Sequence, residues 1–265
     1  MRYLFGLLLL CQTALALAQP DPFPKVAASY LVEINGVPVW ERQSNRRLPP
    51  ASLTKLMTAL LTVEHGQPQA IATVSLAATQ ESGTRLGLKA GEKFHVKDLL
   101  AAALIASAND ACLALADYIA GSQTRFVQLM NRRAEKLGML NTHFVNACGH
   151  DADNHYSTTH DLALLANELI KHPPITELTA KTGARISTLD GARSYPFASK
   201  NALIGHYPGA LGLKTGYTPR AGKCLAAYAK RGATQVLLVM LHGYERWWDA
   251  VDILDLAFDH ARHPA

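Results

Sequence analysis

Apolar positions follow different spacings in different stretches of this 265-residue chain. Residues 27–34 and 37–41 are short apolar-rich runs on either side of Asn35-Gly36, a pair that tolerates the positive φ of a tight turn, so two antiparallel strands are predicted. From Ser52 the spacing changes to three and four. Leu56, Ala59, Leu60 and Val63 share one face of a helix over 52–64, entered through Pro49 and Pro50, with Ser52 near its N-terminus. The stretch from about 98 to 174 is Ala- and Leu-rich and predicts helices over 98–106, 110–120, 123–137 and 159–171. Gly121, Gly138 and the Pro173-Pro174 pair are their stops. Strand-like runs return from Ala184, clearest at 209–215, 223–230 and 234–242. Residues 245–261 then set Val251, Leu254 and Phe258 against Asp249, Asp252, Asp255 and Asp259. That face is acidic where a membrane-surface helix would carry Lys and Arg, so this helix is expected to pack on the sheet.

Strands at both ends with helices inserted between them predict an α/β sandwich plus an all-α subdomain at about 98–174, and a site at their junction. No internal repeat, low-complexity tract or linker divides the chain, whose length suits one large domain or two closely packed ones.

Composition adds an address. Arg2, the apolar run from Leu4 to Leu10 and Ala16-Leu17-Ala18 read as a secretory signal peptide over 1–18, leaving a catalytic unit of 19–265. The apolar run is short of the roughly 20 residues of a membrane span. Residues 1–18 carry one basic and no acidic residue, so the formal charge of +5 falls to +4 on removal. That mild excess suits work beside an anionic polymer, though a solvated surface gives the same number. No Lys/Arg run interleaved with aromatics suggests nucleic acid. Three cysteines remain, Cys112, Cys148 and Cys224. They read as buried small hydrophobes, with a Cys112/Cys148 pair left open because its spacing favours nothing. His150, Asp151, Asp153, His155 and His160 cluster in one loop, but no compact ligand signature such as His-Glu-x-x-His occurs, and the loop reads as a turn rather than a metal site.

Candidate chemistry comes from three short signals in fixed order: Ser52-Leu53-Thr54-Lys55, Ser107-Ala108-Asn109 and Lys214-Thr215-Gly216. Ser-x-x-Lys puts a hydroxyl and an amine on one helix face. A serine hydroxyl attacks only while losing its proton, so a base must lie within hydrogen-bond reach, and a lysine serves once burial or a second cation lowers its pKa. Lys55 is that candidate base and Lys214 the candidate second cation. Gly216 removes a side chain where a substrate backbone would approach a strand edge. Each signal alone is ordinary: a helix cap, a turn and a surface lysine.

Together, with flanks at Ser107 to Gly121, Asn141-Thr142-His143-Phe144, His155-Tyr156-Ser157, Asp161-Leu162 and Leu213 to Gly222, they resemble the penicillin-recognising serine enzymes. More narrowly the chain resembles the serine-type D-alanyl-D-alanine carboxypeptidases, the low-molecular-mass penicillin-binding proteins. The resemblance implies a β-lactamase/DD-peptidase-like antiparallel sheet flanked by N- and C-terminal helices, with an inserted all-α subdomain. It implies Ser52 as nucleophile, Lys55 as base and Ser107 as proton relay. It also implies Asn109, Lys214, Thr215 and Gly216 as substrate contacts, and the Tyr217 N–H beside that of Ser52 as oxyanion donors. No cofactor follows from it. The implied partners are peptidoglycan stem peptides and, as covalent inhibitors, β-lactam antibiotics. The implied setting is the periplasm, with no stable membrane anchor on the mature chain, since the chain stops without the C-terminal domain and anchor often found in relatives. Tyr217, where relatives often carry His, and Cys148-Gly149, where many have His-Gly, depart from the pattern and bear on substrate preference.

Two further readings share the machinery. A DD-endopeptidase would cleave cross-links with the same residues. A serine β-lactamase would need fast deacylation, yet the Glu-x-x-x-Asn of class A enzymes is missing between Asn109 and Lys214. A non-catalytic penicillin-sensing module is expected to lack Ser52 or Lys55, and both are present.

Overall fold

The computed structural model describes residues 21–263, and the leader-like run at 1–18 lies outside the described residues. Strands β1 (Ala27–Ile34) and β2 (Val37–Arg42) form the hairpin at Asn35-Gly36, whose φ angles of 52° and 79° match the turn chemistry. A 3₁₀ turn, Ala51–Thr54, leads into α1 (Lys55–His65). Then come β3 (Ile71–Thr73), α2 (Leu76–Thr79), β4 (Lys93–His95), α3 (Val96–Ile105), α4 (Asn109–Ala120), α5 (Gln123–Lys136), α6 (Thr159–Ile170) and α7 (Pro173–Thr179). The chain ends with β5 (Gly183–Ser187), β6 (Ser194–Ala198), β7 (Ala210–Thr218), β8 (Gly222–Arg231), β9 (Thr234–Gly243) and α8 (Arg246–Arg262).

Local chemistry explains the boundaries. Gly121 closes α4 in the left-handed region at φ 74°, and the Thr158 hydroxyl caps α6 by accepting the Asp161 N–H at 3.0 Å. Pro173 and Pro174, expected only as a stop, open α7 instead: a proline needs no N–H acceptor in a first turn. The two-stranded pairs β3/β4 and β5/β6 are too short to show a period and were not anticipated as pairs.

The main sheet runs β2-β1-β9-β8-β7, antiparallel throughout, so the first strands meet the last at its centre and β7 is an outer edge. Both faces are covered. Along β8 and β9, Ala226, Tyr228, Leu237, Val239 and Leu241 face a large core shared with α1, α3, α4 and α6. Leu225, Ala227, Ala229, Val236, Leu238 and Met240 face a second core under α8, where Ile253, Leu254 and Phe258 sit. Two buried faces account for the unbroken apolar run at Val236 to Leu241, which alternation alone would not give. The acidic side of α8 faces outward, as its pattern predicts; Asp252, Asp255 and Asp259 are exposed.

The cysteines differ from expectation in part. Cys112 and Cys148 form a disulfide with a Cα–Cα separation of 6.0 Å, so two of the three are a cross-link rather than packed thiols. Sequence separation of 36 residues gave no hint, because α5 and its flanking loops fold back to bring them together. Cys224 is a buried free thiol whose burial pushes its pKa up to about 12.

Candidate active site

Ser52 sits in the 3₁₀ turn and Lys55 opens α1, one turn apart. Lys55 is 1% exposed, and its Nζ reaches three acceptors: Ser52 Oγ at 3.2 Å, Asn109 Oδ1 at 2.6 Å and the Cys148 carbonyl at 2.6 Å. Burial lowers its pKa to about 7, against the opposing pull of the Glu81 and Asp110 carboxylates. Burial is therefore the chief cause that depresses Lys55. Lys214, mid-strand on β7 and also 1% exposed, is lowered well below an ordinary lysine by burial first, then by the nearby charges of Lys55 and Arg246.

The three signals converge. Lys214 Nζ donates to Ser107 Oγ at 2.9 Å and to the Thr215 carbonyl at 2.7 Å. Ser107 lies between α3 and α4 at φ 61°, a conformation costly for a side-chain-bearing residue and frequent at functional sites. Asn109 begins α4, and both ends of its amide are committed to protein: Oδ1 to Lys55 and Nδ2 to the Ser82 carbonyl at 2.6 Å. Asn109 thus holds Lys55 through its oxygen, and these bonds use only one of the two N–H groups on its Nδ2. Thr215 and Gly216 continue the outer strand. Gly216 also makes a close approach within the protein: a Cβ there would lie 3.0 Å from Ser52 N, Ala51 Cβ and Leu53 Cδ1, so it lets β7 press on the nucleophile turn. Tyr217 is 64% exposed at the mouth.

A cavity of about 400 Å³ opens on Ser52, Ser107, Asn109, Cys148, His150 and Tyr217. A larger one, about 600 Å³, lies between Lys89, Lys93 and Arg193 and is lined by no residue of the three signals, so chemistry rather than volume picks the site.

Several positioning groups were invisible to motif reading. Asn146 Oδ1 accepts the N–H groups of Cys148, Gly149 and His150 at 3.3, 2.7 and 3.0 Å, shaping the loop whose carbonyl holds Lys55. Gly149, at φ 90°, lies so close to Ala51 that a Cβ would sit 2.0 Å from its carbonyl oxygen. The Asp110 carboxylate accepts from the N–H groups of Leu86, Gly87 and Leu88, seating the loop that contacts Asn109. His155 Nδ1 accepts the Val145 N–H at 3.1 Å, which leaves Nε2–H to donate to Thr54 Oγ1 at 2.9 Å. Burial lowers its pKa to about 4, so the ring is neutral at pH 7. His150 pairs with Glu81 at the cavity rim. Arg246 on α8 donates to the carbonyls of Gly216 and Cys224 at 2.9 and 3.2 Å, bracing β7 from behind.

Among the described residues no helix is long and apolar enough to cross a membrane. Residues 23–244 match the family model described as D-alanyl-D-alanine carboxypeptidase. The chain is 37% identical over 238 residues to the D-alanyl-D-alanine carboxypeptidase DacF of Bacillus subtilis (strain 168), covering 86% of this chain and 61% of that relative's length. A protein of Pseudomonas aeruginosa named D-alanyl-D-alanine endopeptidase is 29% identical over 220 residues, covering 82% of this chain and 71% of its own. The crystal structure of D-alanyl-D-alanine carboxypeptidase from Mycobacterium tuberculosis H37Rv superposes with a TM-score of 0.85 at 29% identity, covering 92% of this chain and 95% of that one.

Proposed function

The chain belongs to the D-alanyl-D-alanine carboxypeptidase family, and on that premise we propose that it is a serine DD-peptidase removing the terminal D-Ala of peptidoglycan stem peptides. The observation that carries the reading is the buried Lys55 amine bonded to Ser52 Oγ while two carbonyl-type acceptors take its other protons. A neutral amine so held keeps both N–H bonds on Asn109 and Cys148 and turns its lone pair to the serine hydroxyl. Ser52 Oγ then attacks the penultimate D-Ala carbonyl as its proton moves to Lys55 Nζ. The N–H groups of Ser52 and Tyr217 are assigned the oxyanion, and an extended peptide is assigned the free edge of β7. Ser107, bonded to Lys214, is assigned to pass a proton to the departing amine. Lys214 and Thr215 are assigned the terminal carboxylate, whose arrival favours the charged form of an amine that burial otherwise discharges. Water clears the acyl-enzyme.

The same machinery makes β-lactams covalent inhibitors. We assign residues 1–18 as an export leader, 19–265 as the catalytic unit with its helical part at about 98–174, and the periplasm as its place of work. Cross-link cleavage is the second reading, supported by similarity to the endopeptidase-named relative. Intact-mass analysis after penicillin treatment tests the assignment: one added acyl group on the wild type and none on Ser52→Ala is expected. An adduct that persists in Ser52→Ala overturns it. D-Ala release from a D-Ala-D-Ala peptide against product release from cross-linked sacculi separates the two peptidase readings, and rapid multiple turnover of penicillin with no D-Ala release would make the chain a β-lactamase.

A further inference from the structure

The Cys112–Cys148 disulfide lies beside the base rather than at the periphery. Cys148 supplies the carbonyl that accepts from Lys55 Nζ, and Cys112 stands one helical turn after Asn109, the other acceptor held at 2.6 Å. The cross-link therefore joins the loop carrying one acceptor to the helix carrying the other. Gly149, next in the loop, abuts the backbone of Ala51 and Ser52, so the same clamp extends to the nucleophile turn. Cys148, 1% exposed, also lines the active-site cavity, so the bond lies in the wall of the site. Asn146 and the Thr58 hydroxyl, which donates to the Ala147 carbonyl at 2.7 Å, hold the loop independently, so loss of the bond slackens this region without dismantling it.

We propose that the Cys112–Cys148 disulfide is a positioning element for Lys55, clamping its two acceptors around the amine and shutting water out, so that an oxidised bond is a condition for full acylation activity. This rests on the serine-peptidase reading for its consequence, though not for its geometry. The groups that face Lys55 are Ser52 from the nucleophile turn, Glu81 from the loop after α2, Asn109 and Asp110 from α4, the Cys148 carbonyl, and Lys214 from β7. None of them is a cysteine side chain, so any change on breaking the bond acts through position. Burial is the chief cause of the low proton affinity of Lys55, and a slack clamp admits water, so the amine moves back towards the ordinary lysine value near 10.4.

The test follows Lys55 by NMR titration of ¹³Cε-lysine-labelled protein, assigned with Lys55→Arg. It compares the oxidised enzyme, the enzyme reduced with a phosphine reductant, and Cys112→Ala/Cys148→Ala, with thiols counted by mass. A midpoint that rises by about one pH unit or more in both bond-free forms is expected, and at pH 7 a rise of one unit from about 7 lowers the neutral amine roughly fivefold. An unmoved midpoint in either folded, bond-free form overturns the proposal, whatever happens to Tm. Penicillin acylation of the oxidised enzyme is measured alongside: its absence would defeat the peptidase reading, while the titration still decides the clamp.

Discussion

The cleft at Ser52 has two walls of different construction. On the helical side, Lys55, Asn109 and the Cys148 loop are held by side chains: an amide, a disulfide and the Asn146 hub. On the strand side, Lys214, Thr215 and Gly216 are held by the β7–β8 ladder, with Arg246 bracing two carbonyls. A ladder shares its load among many backbone bonds, whereas a side-chain network loses its geometry when one member goes. The contrast says where single substitutions should hurt.

The largest expected effect is on the helical wall. Lys55→Arg keeps a charge but supplies no neutral amine, so penicillin acylation should fall about a thousandfold, within the range for a lost general base. Lys214→Arg on the strand wall should cost about tenfold to a hundredfold. In the wild type the rate should also drop about tenfold per pH unit below about pH 7, as Lys55 takes up a proton and can no longer accept one from Ser52. Equal losses in the two variants, or an acid limb unaffected by Lys55→Arg, would erase the distinction.

Next in size is acid sensitivity. His155 is neutral in the fold with a pKa of about 4, against about 6.5 when unfolded. Between those values the unfolded chain binds more protons, so stability falls as pH drops from 6.5 to 4 and levels off below. The loss is about 3 kcal/mol, the shift converted at 1.36 kcal/mol per unit. Denaturant unfolding at pH 7, 5 and 4 should show it in the wild type and not in His155→Asn; parallel curves would mean that His155 does not tie the helical wall to its loop.

The smallest effect belongs to the brace. Arg246→Ala removes two bonds to strand carbonyls but leaves the ladder, so acylation should slow by less than about tenfold. A loss as large as that of Lys55→Arg would show that the strand wall depends on one side chain after all.

The same division marks what could be read from the amino-acid sequence. Helices with a strong apolar period, the Asn35-Gly36 hairpin and the three final strands were legible because local spacing and turn chemistry decide them. Ser52, Lys55, Ser107 and Lys214 were legible as motifs, and the fold brings them within hydrogen-bond distance of one another in pairs. What orients them was not. Asn146 folds its own loop through N–H groups two to four residues on, without a signature in the sequence, while His155, Asp110 and Arg246 act on groups remote in the chain, Arg246 reaching back 30 residues to Gly216. Asn109 and Gly216 were singled out for substrate contacts, and the contacts each also makes within the protein, to Lys55 and to the nucleophile turn, were not legible. Pro173 misled because a proline that ends one helix also suits the first turn of the next.

Ala27 pairs with Gly243, and the turn bearing Ser52 is pinned by Gly216 on a strand formed late in the chain. Contacts of such long sequence separation form slowly and only once both ends are present. A growing or threading chain therefore holds its nucleophile in an unassembled, chemically idle form until the last strands arrive, and activity begins with completion of the sheet.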